Sequence, residues 1–86
     1  MPQIIVEYEF DHPVTDEDCD RMAAQLDPCL DAHGARWLRA YLAIDRRRRI
    51  CVFEAPDAEA VRSAYRLAKV GFVRAWAAEP ITDEDA

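Results

Sequence analysis

The period of the apolar residues switches along the chain in a fixed order. It is two in Gln3–Phe10, about 3.6 from Thr15 to His33, two in Arg36–Asp45, about 3.6 again after Pro56-Asp57, and two in Phe72–Ala78, while the short apolar run Ile50–Ala55 reads as a further strand. Strand, helix, strand, strand, helix, strand is the split βαβ arrangement. It predicts an α+β, ferredoxin-like βαββαβ domain, a four-stranded antiparallel sheet with two helices on one face. With 86 residues the chain suffices for one domain, expected over 1–81, followed by an acidic tail at 82–86. A domain of this size buries only about 60% of its unfolded surface, so its core is small.

Local signals set the expected boundaries. Val6, Tyr8 and Phe10 fall on one face of the first strand, Glu7 and Glu9 on the other, and His12-Pro13 breaks it. Thr15 reads as a helix N-cap, with Asp16, Glu17 and Asp18 at the positive end of the helix dipole. Cys19, Met22, Ala23, Leu26 and Leu30 form the buried stripe; Pro28 should kink the helix or end its regular part, and Gly34 should stop it. Strand two alternates Leu38, Ala40, Leu42 and Ile44 with Trp37, Arg39, Tyr41 and Ala43. Arg46–Arg49 should make the hairpin turn into strand three. Asp57 caps the second helix, Val61, Ala64, Tyr65 and Ala68 give its stripe, and Gly71 should end it.

Charge and cysteine usage exclude several classes. Net charge is −6, with the bases concentrated between residues 36 and 74. Arg46–Arg49 is a short basic run without interleaved aromatics, which fits a solvated turn and gives no reason to expect nucleic-acid binding. No apolar run approaches the roughly 20 residues of a membrane-spanning helix, and the N-terminus lacks a basic-then-apolar leader pattern, so no membrane or secretory role is expected. Cys19, Cys29 and Cys51 are an odd set without paired spacing. They are expected as reduced thiols in a cytoplasmic protein.

Helices cover one sheet face, and alternation assigns Glu7, Glu9, Trp37, Arg39, Tyr41, Arg74 and Trp76 to the other. Two tryptophans and a tyrosine make a large apolar patch. The expectation is that it packs against a second copy, as in dimeric α/β barrels. Enclosed Glu7, Glu9 and Arg39 would then form either a structural ion pair or the polar part of a pocket that orients a small organic ligand. The pattern Ile50-Cys51-Val52-Phe53-Glu54 is compatible with either facing, so Glu54 joins that cluster if strand three turns its way.

Other chemistries lack their residues. Two glycines cannot build a phosphate-cradling loop, there is no paired-Cys zinc motif, and His12 and His33 stand at no metal spacing. Cys51 has no histidine placed to activate it and reads as an inert core thiol. No cofactor is expected.

Gly34-Ala35-Arg36-Trp37-Leu38-Arg39-Ala40-Tyr41 and Ile50-Cys51-Val52-Phe53-Glu54-Ala55-Pro56-Asp57 together resemble the small bacterial domain-of-unknown-function 4242 family, over about Gln3 to Glu79. The resemblance implies a ferredoxin-like dimer and includes a nickel-binding branch. That branch has a histidine late in strand one and a His-Arg-Glu-Ala-His-Gly motif ending helix two. The matching positions here are Glu9, Tyr65 and Lys69, so nickel binding is not carried over; a pocket near Glu9, Tyr65 and the sheet face is. Three functions stay open: a homodimeric small-ligand-binding or accessory protein; a cofactor-free isomerase or oxygenase with Glu7 or Glu9 as general base and Arg39 on a substrate anion; and metal binding as in the relatives. The expected ligand-binding set is Glu7, Glu9, Trp37, Arg39, Tyr41, Glu54, Tyr65 and Trp76.

Overall fold

A computed structural model describes residues 1–82. Its elements are β1 (Gln3–Glu9), α1 (Asp16–Ala32), β2 (Arg36–Leu42), β3 (Arg48–Glu54), α2 (Ala58–Ala68) and β4 (Arg74–Ala78). The strands lie in the order β2-β3-β1-β4, each neighbour antiparallel, with both helices on one face. This is the expected ferredoxin-like α+β fold. The sheet of one chain is open, so a barrel would require a second copy. Most of the expected acidic tail lies outside the described residues. No described helix is long and apolar enough to cross a membrane.

Caps and burial explain the helices. Thr15 Oγ1 accepts from the Asp18 amide at 3.1 Å and Asp18 returns a carboxylate to the Thr15 amide at 3.0 Å, a complete capping box. Asp57 Oδ1 accepts from the Ala60 amide at 2.8 Å. Of the two outcomes expected at Pro28, an end to the helix does not occur: α1 runs on through it to Ala32. Pro28 is exposed, while Leu26 and Leu30 on either side of it are buried. Each buried leucine contributes about 1.5–3 kcal/mol, which together offsets the roughly 3 kcal/mol cost of an interior proline. Gly34 stops α1 as expected, with φ of 71° and the Ala35 amide returning to Leu30 O at 2.9 Å.

Two connections differ from the sequence reading. The second helix ends before Gly71: Lys69 adopts the left-handed conformation at φ 59° and the Val70 amide closes on Tyr65 O at 3.1 Å. The strand then starts at Arg74, and Phe72 packs edge-on against Tyr65 instead of entering the sheet. In the hairpin, Ile44 sits in the turn, fully exposed, because β2 stops at Leu42. Only Arg46 and Arg47 of the arginine run lie in the turn, while Arg48 and Arg49 open β3. Arg46 ties the turn to the start of α1, reaching Val14 O and Asp16 Oδ1, each at 3.0 Å.

A β-bulge decides what each face carries. Trp37 pairs with Phe53, but the next ladder pair is Arg39 with Val52, leaving Leu38 as an extra residue. One extra residue reverses the alternation of everything before it relative to everything after. Trp37 therefore shares the helix-covered face with Phe53, while Arg39 and Tyr41 share the open face with Val52 and Ile50. The core beneath the helices is built on Ile4, Val6, Tyr8, Phe53, Val61 and Tyr65.

Candidate functional site

The open face carries most of the residues expected there, arranged differently. Trp76 donates its indole N–H to Glu7 Oε2 at 2.7 Å, and Arg74 lies 3.8 Å from Glu7 Oε1. Glu54 faces the same way, which settles the direction of β3, and is held by Arg36. Glu9 is exposed. Within one chain Arg39 makes no ion pair among the described residues, and Arg74 is the cation beside Glu7. The ladder explains this: Glu7 sits beside Arg74 on β4, whereas Arg39 lies across β3 from β1. Tyr41 and Trp76 remain 59% and 45% exposed.

The other face holds a cleft. α1 packs principally on α2, and between α1 and the β2–β3 half of the sheet there is a cavity of about 220 Å³. Its apolar walls include Met22, Leu26 and Leu30 from α1 and Phe53 from β3. Trp37 lies at its edge, placed there by the bulge and 53% exposed. Tyr8 and Tyr65, both buried, hydrogen-bond to each other through their hydroxyls, and the Cys51 thiol points at Tyr8 Oη at 4.0 Å. The Arg49 guanidinium carbon lies 5.6 Å from the centre of the Tyr8 ring, within cation–π range.

Burial sets the protonation of this group. It drives the Tyr8 phenol far above its ordinary value, helped by neighbouring Tyr65 and Cys51 and opposed by Arg49. It raises Tyr65 likewise, with Cys51 adding to the rise and the Tyr8 hydrogen bond and Arg49 opposing it. It also pushes the Cys51 thiol up, against the pull of Arg49. All three groups are neutral at pH 7, which leaves Arg49 as the cationic group of the cleft. Asp27 is the carboxylate of the rim and makes no ion pair with it.

The expected site residues thus divide. Glu7, Glu9, Arg39, Tyr41, Glu54 and Trp76 belong to the open face, whereas Trp37 and Tyr65 belong to the cleft. Tyr65 does not meet Glu9, because its hydroxyl is turned into the core toward Tyr8. Sequence reasoning missed Arg49, read as part of a solvated turn. Its parity with Cys51 and Phe53 was the available signal. Two tyrosines on buried stripes were another, since each buried hydroxyl needs a partner.

A family model described as nickel responsive protein SCO4226-like matches residues 5–77. No curated protein matches the chain. Among solved structures, the chain resembles the crystal structure of SCO4226 from Streptomyces coelicolor A3(2). The TM-score is 0.82 at 14% identity, covering 93% of this chain and 99% of that one. That likeness carries the fold.

Proposed function

The chain belongs to the SCO4226-like family, and from that premise we propose that it is a homodimeric binding protein whose cleft between α1 and the β2–β3 hairpin holds a small organic ligand. The observation that carries this reading is the cleft's composition: apolar walls, with Arg49, the Tyr8–Tyr65 hydroxyl pair and Cys51 converging on one region. Few polar groups in an apolar hollow are what orient a small molecule. At about 220 Å³ the hollow is smaller than the roughly 300–1,000 Å³ of drug-sized sites, so the ligand is small. Burial holds the phenols and the thiol protonated, which suits binding more than proton transfer.

A second copy on the open face completes the reading. Ile5 and Ile50, partly buried, lie at its centre beside the already buried Val52, with Tyr41 and Trp76 exposed around them, a patch that a partner sheet would cover. The enzyme alternative has less support. Glu7 is held by Trp76 and Arg74, and it lies on the side of the sheet away from the cleft.

The family description names nickel, and the residues here do not fit that metal. Of the positions matching the relatives' histidines, Glu9 is exposed, Tyr65 is a buried phenol bonded to Tyr8, and Lys69 has no lone pair to give. No group of three His, Cys, Asp or Glu side chains suited to a metal occurs among the described residues. His12 and His33 are engaged by Asp11 and by Cys29 O. The proposal includes a reducing, cytoplasmic setting for the three free cysteines and membership of the wider domain-of-unknown-function 4242 grouping.

Native mass spectrometry of freshly purified protein tests the reading. The expected result is a dimer retaining a small organic mass that denaturation releases. A bare monomer, or stoichiometric nickel as the retained species, would overturn it.

A further inference from the structure

We infer that the ligand of the cleft is a small planar organic anion, an aryl or similarly flat carboxylic acid, with its carboxylate on Arg49 and its apolar body between Trp37 and the leucines of α1. This rests on the cleft being the ligand site and adds the chemical class of what enters it.

The polar groups of the cleft are mostly donors. Arg49 carries five N–H donors and no acceptor. The Tyr8–Tyr65 pair shares one hydroxyl hydrogen between its oxygens, so the second hydroxyl hydrogen remains for another acceptor. The Trp37 indole can only donate. Against these stand a weakly accepting sulfur on Cys51 and the Asp27 carboxylate at the rim. The interior is therefore rich in donors, and its complement is a molecule whose polar end only accepts. A carboxylate fits this, and a guanidinium engages it through two parallel hydrogen bonds.

Arg49 also differs from the other arginines of the chain. Arg21, Arg36, Arg46, Arg62, Arg66 and Arg74 each have a carboxylate partner in this acidic chain. Arg39, Arg47 and Arg48 lack one, and all three are exposed to water. Arg49 is half-buried, lies over the Tyr8 ring and has no ion-pair partner among the described residues. A partly desolvated cation without a counter-charge beside an open hollow is a position an anion completes.

The aromatic rings of Trp37, Phe53 and Tyr65 are among the residues that line the hollow, and its volume admits on the order of ten non-hydrogen atoms. Phenylacetate has that size and that pairing of ring and carboxylate.

The test compares phenylacetate, phenylacetamide and phenethylamine, which share a body and differ in the polar end. Calorimetry gives affinity, and the methyl signal of Met22, labelled with carbon-13, reports the cleft; Met1, the other methionine, is exposed and serves as the reference. The expected result is that phenylacetate binds at least about tenfold tighter than the other two. Arg49→Gln should remove that preference, while Arg39→Gln on the open face keeps it. If phenylacetamide or phenethylamine moves the Met22 signal at equal or lower concentration than phenylacetate, the anion assignment is overturned and the cleft remains the site. If none of the three moves it at millimolar concentration, the cleft reading falls as well. Should Arg49→Gln fail to fold, the three compounds on the unmodified protein still decide.

Discussion

The hydroxyls of Tyr8 and Tyr65, 57 residues apart in the chain, hydrogen-bond to each other inside the cleft. The bond joins β1 to α2 and gives each buried phenol the partner its burial requires. It also means that neither hydroxyl can be removed without leaving the other with only the distant Cys51 thiol.

Tyr65→Phe is therefore expected to cost about 1–3 kcal/mol, the range for stranding a buried polar group. In a domain of this size each kcal/mol corresponds to about 4–8 °C in Tm. The double variant Tyr8→Phe/Tyr65→Phe should lose less than the two single losses added, because it strands nothing. Urea denaturation of the four proteins measures this, and strictly additive losses would show that the two hydroxyls do not depend on each other.

Alkaline pH should act on the same cluster. Tyr8, Tyr65 and Cys51 all have folded values raised above their ordinary ones, chiefly by burial. A group of this kind contributes fully below its ordinary value and loses that contribution as pH rises toward the folded value. The ordinary values are 9.0 for the thiol and 10.0 for the phenols. Stability should stay level on this account through neutral pH and fall beyond about pH 9. Tyrosinate absorbance from Tyr8 and Tyr65 should appear together with the loss of helical circular dichroism. Both phenols ionising while the helices remain intact would contradict the burial argument.

Much of this architecture was legible in the chain. The period switches gave the order of six elements, and Thr15, Asp57 and Gly34 marked helix ends through chemistry local to a few residues. The site was less legible for equally physical reasons. A single inserted residue, Leu38, moved Trp37 to the other face, and alternation cannot register a bulge that leaves the apolar pattern readable either way. Lys69, not Gly71, takes the left-handed conformation at the end of α2, where the Val70 amide bonds to Tyr65 O. The cleft depends on how α1 stands against the sheet, a distance between elements that no local pattern encodes.

The open face predicts an oligomeric effect separate from folding. Tyr41 is exposed and hydrogen-bonds nothing among the described residues, so Tyr41→Arg should change stability by no more than about 0.5 kcal/mol. In a face-to-face dimer it adds a cation beside Arg39 in each copy and should shift the protein to monomer. Urea denaturation reads the first and sedimentation at micromolar concentration the second. A wild-type monomer, or a variant that dimerises as well as the parent, would remove the open face as the interface.

The two tryptophans offer the most direct test, because the bulge leaves one on each side of the sheet: Trp37 at the cleft and Trp76 on the open face, bonded to Glu7. Their indole N–H signals, resolved by nitrogen-15 labelling, can be followed as phenylacetate is added. The account predicts that the Trp37 signal moves and saturates while the Trp76 signal stays in place; movement of Trp76 with Trp37 unmoved would put the ligand on the open face and contradict it.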